Sequence, residues 1–345
     1  MNLQENVQLA PLTTLSVGGE AKFFVEAQSV EEVEEALAFA RANSLPMFIL
    51  GGGSNLLVPD GGVDGVVLKM AMRDINFESD GADTMLIADS GASWDGVVDA
   101  VGEKGMFGIE NLAGIPGSLG GAVVQNIGAY GTELANVFEY ADVIDGATGE
   151  RRRITRASAA FAYRTSFFKE HRGYVIVRVA LRLAQSAMPN ISYPDLARMH
   201  ASGEPLATPA DIARAVRAIR AKKFPQNLKE GTAGSFFKNP IIPRELADSL
   251  ARRFSGLPLF PQADGRVKIS LAWLLDKALS LKGYAKGRVR LYEGQPLVIV
   301  TRDGATAEEV DALAFEVSEK VFDATGIKIE REVEYVGDVE RSEIA

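Results

Sequence analysis

The sequence predicts a mixed α and β protein folded as two or three domains. Three observations carry this. The chain has 345 residues, 47% of them hydrophobic, more than one ordinary core holds and ample for several. Capped stretches of helical periodicity alternate with short β-branched runs. A polar stretch over 183–230, carrying Pro189, Pro194, Pro205, Pro209 and Pro225, reads as a domain junction.

The first helix is expected over Val30–Asn43. Ser29-Val30-Glu31-Glu32 has the form of a capping box, and Val33, Ala36, Leu37 and Ala40 follow at helical spacing. After the turn at Ser44-Leu45-Pro46, Met47-Phe48-Ile49-Leu50 reads as a short buried strand that runs straight into Gly51-Gly52-Gly53-Ser54-Asn55. Strands are expected at Gly65–Lys69 and Thr84–Ala88, and a helix at Trp94–Glu103. A second glycine-dense region spans Gly114 to Ala122 and leads to Gln125-Asn126-Ile127-Gly128-Ala129-Tyr130-Gly131. Gly149 to Arg182 reads largely as strands, most clearly Tyr174–Leu181 with its β-branched content. Beyond the junction, which carries the helical pattern Ile212, Val216, Ile219, we expect a helix near Ile269–Ala278 and a strand at Pro296–Thr301. A last helix is opened by the box Thr306-Ala307-Glu308-Glu309 and closed by Gly326, before a final strand over Ile327–Val336.

Composition removes several chemistries. With no cysteine there is no disulfide, thiolate nucleophile, iron–sulfur ligation or cysteine zinc site. His171 and His200 are the two histidines, so a multi-histidine metal site is not expected, and no metal is assigned. A net charge of −9 argues against a general nucleic-acid binder. No apolar run approaches the roughly 20 residues that span a bilayer, and Met1-Asn2-Leu3-Gln4-Glu5-Asn6 lacks a basic segment followed by an apolar one. The expectation is a cytoplasmic protein with no membrane partner.

The sharpest motif is Gly234-Ser235-Phe236-Phe237-Lys238-Asn239-Pro240. It sets a hydroxyl, an ammonium and a carboxamide around two large aromatics, as a wall with one wet side would. Alone it reads first as a strand end with both phenylalanines in the core. The loop Gly51–Asn55 offers consecutive backbone N–H groups that can approach a pyrophosphate closely. It lacks the Gly-Lys-Ser/Thr of a P-loop, and Leu56 stands where a dinucleotide fingerprint needs glycine; alone it reads first as a tight turn. The second glycine cluster strengthens it, since two such loops can clasp the ends of an extended pyrophosphate-bearing cofactor. In Tyr163-Arg164, the guanidinium fork suits an anionic or carbonyl oxygen, or the side chain simply reaches solvent. Glu330, Glu332 and Glu334 share one face of the last strand, opposite Ile329, Arg331, Val333 and Tyr335. Solvated, they are edge charges; buried and crowded, one of them would hold a proton.

Taken together these blocks resemble the UDP-N-acetylenolpyruvoylglucosamine reductases (MurB), in the longer type with an extra segment before Gly-Ser-Phe-Phe. The pieces that carry the resemblance cover nearly the whole chain: Ile49–Leu57, Gly114-Ile115-Pro116-Gly117 with Gln125–Gly131, Tyr163-Arg164, Gly234–Pro240, Pro261-Gln262-Ala263-Asp264-Gly265 and Glu332. It implies an α+β fold: a two-subdomain FAD-binding module of the vanillyl-alcohol-oxidase (PCMH) type plus a third α+β substrate-binding domain. The boundaries it suggests are 1–70 and 71–215 for the two subdomains, 216–326 for the substrate domain, and 327–345 for a terminal strand carrying Glu332. It further implies an NADPH-dependent UDP-N-acetylmuramate dehydrogenase that acts as a monomer on UDP-N-acetylenolpyruvoylglucosamine, with FAD bound and NADPH as hydride donor.

By that resemblance Ser235 is the proton donor, and Arg164 and Glu332 stabilise charge, Glu332 only with a proton on it or through a bridging donor. FAD contacts fall on Gly51, Gly52, Gly53, Ser54, Asn55, Leu56, Pro116, Gly117, Ser118, Gly121, Asn126, Gly128, Ala129, Tyr130 and Arg164. Substrate contacts fall on Tyr163, Tyr193, Lys223, Lys238, Asn239 and Gln295, with Tyr193 as a mobile aromatic cover. Two positions depart from the pattern: Phe260 stands where relatives can carry tyrosine, and Glu334 where a basic residue can occur. Two alternatives stay open at this level. One is another FAD oxidoreductase of the same fold, which would not need the Ser235-Lys238-Asn239 wall; the other is a flavin-free nucleotide-sugar binding protein.

Overall fold

The computed structural model describes residues 1–81, 83–226 and 229–337. They form two compact units, one built from Met1–Val7, Ala21–Gly53 and Asp64–Ala221, the other from Gln8–Glu20, Ser54–Val63 and the chain from Lys222 onward.

The first unit has two hydrophobic cores. In one, helix α1 (Val30–Ala42) lies on a four-stranded sheet ordered Leu3–Gln8, Glu20–Ala27, Val63–Met70, Met47–Leu50. Val33, Ala36, Leu37 and Ala40 are buried against Val25, Val66 and Leu68, as the spacing predicts. Each large side chain so buried contributes about 1.5–3 kcal/mol. Ser29 caps the helix by accepting from the Glu32 N–H at 3.3 Å. Glu32, however, reaches one residue further back than a capping box requires and accepts from the Gln28 N–H at 2.7 Å.

The second core fills one face of a five-stranded antiparallel sheet ordered Arg151–Thr155, Phe138–Asp145, Tyr174–Ala184, Asp83–Asp89, Ile75–Asp80. Packed with it are α2 (Trp94–Glu103), α3 (Leu119–Gln125), α4 (Phe167–Glu170), α5 (Pro194–Ala201) and α6 (Pro209–Lys223). Two expectations change here. The run from Gly149 to Arg182 is not continuous strand, because 156–173 leave the sheet for a tight turn and α4. The helix α5 was not expected, since Pro194 reads as a breaker; it occupies the first helical turn, where the missing N–H costs nothing.

The second unit is a single core of small elements around α9 (Ala307–Thr325), after α7 (Arg244–Arg253) and α8 (Leu271–Trp273). Two three-stranded sheets, Ile241–Ile242 with Val267–Ile269 and Leu259–Pro261, and Ala285–Lys286 with Val289–Leu291 and Ile299–Thr301, flank it. The helix expected from Ile269 starts later: Ile269 ends a strand, Ser270 caps α8, and the turn continues as a π-helix over Leu274–Ala278.

The final strand is also shorter than Ile327–Val336. Only Glu334–Tyr335 sit in a ladder, parallel to Leu56–Leu57, while Arg331 makes an isolated bridge to Phe237. The period-two alternation still holds: Ile327, Ile329, Arg331 and Val333 are buried, and Glu330 and Glu332 turn the other way.

Among the described residues no helix is long and apolar enough to cross a membrane, and no group of three or more His, Cys, Asp and Glu could hold a metal ion.

The start of α9 is the most fully capped helix end in the second unit. Thr306 accepts from the Glu309 N–H and Glu309 accepts from the Thr306 N–H, both at 3.1 Å. The Asp60 carboxylate takes the next two amides, Ala307 at 2.8 Å and Glu308 at 3.0 Å, and Gly326 ends the helix at φ 72°. Thr306→Ala should therefore lower stability by about 0.5–2 kcal/mol, read as an earlier midpoint in urea by circular dichroism. Asp60→Ala should cost a similar amount.

Candidate active site

In the first unit the two glycine loops meet backbone to backbone. A Cβ on Gly52 would stand 2.6 Å from the Gly117 Cα, and one on Gly51 would stand 2.4 Å from the Ser118 hydroxyl. Ser118 opens α3, its hydroxyl accepting from the Gly121 N–H at 3.3 Å. The amides of Leu119 and Gly120 donate to the carbonyls of Ala92 and Ser90, each at 2.8 Å. The first turn of α3 thus spends its amides on its own framework, and Gly121 has a structural task there.

Upstream, Gly114 (φ 69°) donates to Asp95 at 2.6 Å and accepts from the Arg220 guanidinium at 3.0 Å. Asp95 also holds Arg217, through bonds of 2.7–3.2 Å. Burial pushes the Arg220 guanidinium down, while Tyr130 and Asp95 act against that shift. Sequence reasoning missed this arginine. Its position on the buried side of α6, three residues after Arg217, was the available signal.

Tyr130 is buried, at φ 46°, and its ring meets the edge of Tyr193 at 5.0 Å. The Asn111 amide ties the two segments together, donating to the carbonyls of Tyr130 at 3.0 Å and Asn190 at 2.8 Å. Asn111 was not among the sequence candidates.

Tyr163 and Arg164 are the central pair of a tight turn closed by two backbone bonds, Ala162 N–H to Thr165 O at 3.1 Å and Thr165 N–H to Ala162 O at 3.2 Å. Arg164 sits at φ 57°, the left-handed region that costs a non-glycine residue about 1–2 kcal/mol. Strain of this kind concentrates at functional sites. Its guanidinium donates to the Gly128 carbonyl at 2.6 Å and lies 5.1 Å from the Tyr163 ring centroid. A Cβ on Gly128 would stand 2.8 Å from that guanidinium and would push it from its place.

Asn126, expected at the cofactor, turns its carboxamide inward. It donates to Ala162 O at 2.9 Å and Glu133 at 3.3 Å, and accepts from the Ala135 N–H at 3.0 Å.

In the second unit the Gly234 heptad is the middle one of three chain segments. Gly234 is left-handed at φ 77°. Ser235 bridges Val298, and Phe236 donates to Leu297 O at 2.7 Å on one side. On the other side Phe236 O accepts from the Glu332 N–H at 2.8 Å, and Lys238 N–H donates to Glu330 O at 2.9 Å. Phe236 and Phe237 are each 1% exposed and meet edge to face at 5.3 Å; Ser235, Lys238, Asn239 and Glu332 are partly exposed. Lys238 pairs with Glu330 at 2.8 Å, so of the three face-sharing glutamates Glu330 is a solvated edge charge.

Asn55 grips the same segment: its amide donates to Glu332 O, and its carbonyl accepts from the Glu334 N–H, both at 3.0 Å. Asn239 turns its carboxamide oxygen to the Leu271 N–H at 3.0 Å, at the start of α8. Gln295 closes the turn before the Val298 strand, accepting from Val298 N–H at 3.0 Å. The neighbouring Gly294 packs on the Lys222 carbonyl, which brings the end of α6, with Lys223, to that turn. Arg331 was not singled out for a role of its own; it is buried, paired with Asp311, and 5.9 Å from the Phe236 ring centroid.

Comparison with known proteins matches residues 21–155 to the FAD binding domain family and residues 226–336 to the UDP-N-acetylenolpyruvoylglucosamine reductase C-terminal domain. A protein of Pseudomonas aeruginosa named UDP-N-acetylenolpyruvoylglucosamine reductase is 40% identical over 335 residues, 96% of this chain and 98% of its own length. One of that name from Pasteurella multocida is 36% identical, over 96% of each. The crystal structure of UDP-N-acetylenolpyruvylglucosamine reductase (MurB) from Thermus caldophilus aligns at a TM-score of 0.68 with 27% identity, over 97% of this chain and 99% of that one. The α+β class with an FAD-binding module and a separate C-terminal domain therefore stands.

The Gly52–Gly117 contact makes a direct test. Backbone atoms on both sides cannot swing away from a new methyl, and overpacking of this kind costs about 1–3 kcal/mol. Gly52→Ala should weaken FAD retention by about 5- to 150-fold, measured as the flavin absorbance that stays with the protein on gel filtration.

Proposed function

The chain belongs to the UDP-N-acetylenolpyruvoylglucosamine reductase family, and we propose from that premise how its own residues carry the reaction. The reaction is reduction of the enolpyruvyl ether of UDP-N-acetylenolpyruvoylglucosamine to UDP-N-acetylmuramate, in peptidoglycan precursor synthesis, with NADPH as reductant. We assign the first unit to FAD and the second to the sugar nucleotide. The first unit suits FAD. Its glycine loops lie backbone to backbone, and the half-buried Arg220 bonds the Gly114 carbonyl of the second loop; backbone amides and a guanidinium are donors that a pyrophosphate takes.

Bound FAD supplies the hydride. Addition at the terminal carbon of the enol ether leaves negative charge on the adjacent carbon and its carboxylate, so fixed positive and hydrogen-bonding groups must already be in place. Arg164 fills that role, its guanidinium anchored on Gly128 and its backbone held left-handed. Ser235 delivers the proton to the adjacent carbon. A serine hydroxyl is a weak acid, and it serves because the centre it protonates is strongly basic and the hydroxyl is held close. Glu332 assists on the same centre. Tyr163, Tyr193, Lys223, Lys238, Asn239 and Gln295 are assigned to the substrate; for Lys238 this means trading Glu330 for an anionic group of the nucleotide.

The single observation that carries this assignment is the pairing of the heptad with the terminal segment. The bond from Glu332 N–H to Phe236 O sets Glu332 beside the strand that bears Ser235, with two buried phenylalanines behind it. Asn55 fixes the far side of Glu332, so the register cannot slip.

Ser235→Ala should leave flavin reduction by NADPH within twofold of wild type and slow the second half-reaction by about 10²–10⁴-fold. Stopped-flow absorbance with UDP-N-acetylenolpyruvoylglucosamine as oxidant separates the two steps. Equal loss in both would place the damage at the flavin and remove Ser235 from the role of proton donor.

A further inference from the structure

The strained turn at Arg164 is held by a clamp that the assignments above do not use. Three successive residues at the end of α3 grip it. Val124 O accepts from the Ser166 hydroxyl at 2.7 Å, Gln125 Oε1 accepts from Lys169 Nζ at 2.7 Å, and the Asn126 amide donates to Ala162 O at 2.9 Å. Lys169 Nζ also donates to the carbonyl of Arg164 itself, at 3.3 Å. Ser166, Gln125 and Asn126 are buried, and Lys169 is half-buried.

A residue held left-handed against a cost of about 1–2 kcal/mol relaxes unless its surroundings fix it. Here the fixing groups bear on the backbone before, at and after Arg164. Asn126 acts through Ala162, Lys169 on the Arg164 carbonyl, and Val124 on the hydroxyl of Ser166, two residues further on. The first of these is itself left-handed, at φ 43° and ψ 62°, which is what lets its amide point back at the turn. Charge-assisted bonds are roughly twice as strong as neutral ones, so the ammonium of Lys169 is the strongest single tie in the set.

We propose that Lys169 is a positioning residue for the reaction: by bonding the Arg164 carbonyl and Gln125 together it holds Arg164 in the conformation that aims its guanidinium at the developing charge. This rests on the assignment of Arg164 as the charge-stabilising group. Lys169 touches neither substrate nor flavin in this role, and it acts only through Arg164.

The test uses holoenzyme reduced with dithionite and then mixed with UDP-N-acetylenolpyruvoylglucosamine, beside the NADPH half-reaction as a control. Lys169→Met keeps the apolar stem and removes the donors. It should slow flavin reoxidation by about 10- to 100-fold, the loss that follows a displacement near 1 Å, while FAD content and the NADPH step stay within twofold. Amide hydrogen exchange over 162–165 should speed up in the same variant. In an Arg164→Ala background, Lys169→Met should add less than twofold, since a residue acting through Arg164 has nothing left to position. Lys169→Gln, shorter and uncharged but still polar, gives the same reading if the methionine variant fails to fold.

Equal slowing of both half-reactions, a full added loss on top of Arg164→Ala, or no slowing in either Lys169 variant overturns the proposal. If Arg164→Ala alone leaves reoxidation unchanged, the assignment of Arg164 falls first and the proposal falls with it.

Discussion

The approach of Gly52 to Gly117, with no space between them for a single carbon, is the constraint on which the first unit depends. It is the point where the loop leaving the sheet of the first core touches the loop that opens α3 in the second. Once Gly117 is placed, Ser118 starts α3, and α3 delivers Val124, Gln125 and Asn126 at its end. Those three residues fix the turn that strains Arg164. A contact between two glycines thus bears, through the end of α3, on where the guanidinium of Arg164 lies. The same logic explains Gly128, whose missing side chain leaves room for that guanidinium and whose carbonyl anchors it.

In the second unit the equivalent constraint is a pair of isolated bridges with the backbone bonds beside them. The heptad runs between the 297–298 segment and the 330–332 segment, so its direction and register are settled before any side chain is considered. Two buried phenylalanines then leave Ser235 and Lys238 no place but the wetter side. Glu332 is held from both sides, its N–H by Phe236 and its carbonyl by Asn55. The chain leaves the first unit at Gly53, and the residue that seats Glu332 comes two positions later. Gly51 to Leu57 therefore serve both units in turn, the glycines in one and Asn55 in the other.

Elements fixed by nearby residues were legible in the sequence; those fixed by distant ones were not. The helices α1 and α9 followed from their caps, α1 from its periodicity as well, because a helix satisfies its backbone within a few residues. The last strand was read too long because period-two alternation reports which faces side chains take, not the presence of a partner strand; from 327 to 333 the pairing is the single bridge at Arg331. Around Arg164 the backbone conformation was not legible. Nothing local in Phe161–Lys169 announces a left-handed arginine, and Ser166 and Lys169 hold it only because their partners Val124 and Gln125, with Asn126, lie about forty residues earlier. Arg220 and Asn111 escaped for the same reason, since their partners Gly114, Tyr130 and Asn190 are near only in the fold. The site motifs were visible as motifs, whereas the division of labour inside them was not.

That division is clearest in three asparagines, Asn55, Asn126 and Asn239, each a candidate ligand contact by its motif. A carboxamide offers two donors and one acceptor oxygen in a plane, which matches a backbone peptide as well as it matches a ligand. Asn55 bonds the Glu332 carbonyl, Asn126 bonds Ala162 and Ala135, and Asn239 receives the first amide of α8. Each of these amides therefore sets the position of a neighbouring segment. Two of those segments bear the groups assigned to charge and proton control, Arg164 by way of Ala162 and Glu332 directly. Replacing such an asparagine by aspartate keeps the acceptor and loses the donors, so it would release Glu332 or Ala162 while sparing the Leu271 amide. A ligand contact made by all three would instead respond to the new negative charge in one direction. The pattern of response therefore separates a motif that binds from a motif that builds the frame for binding.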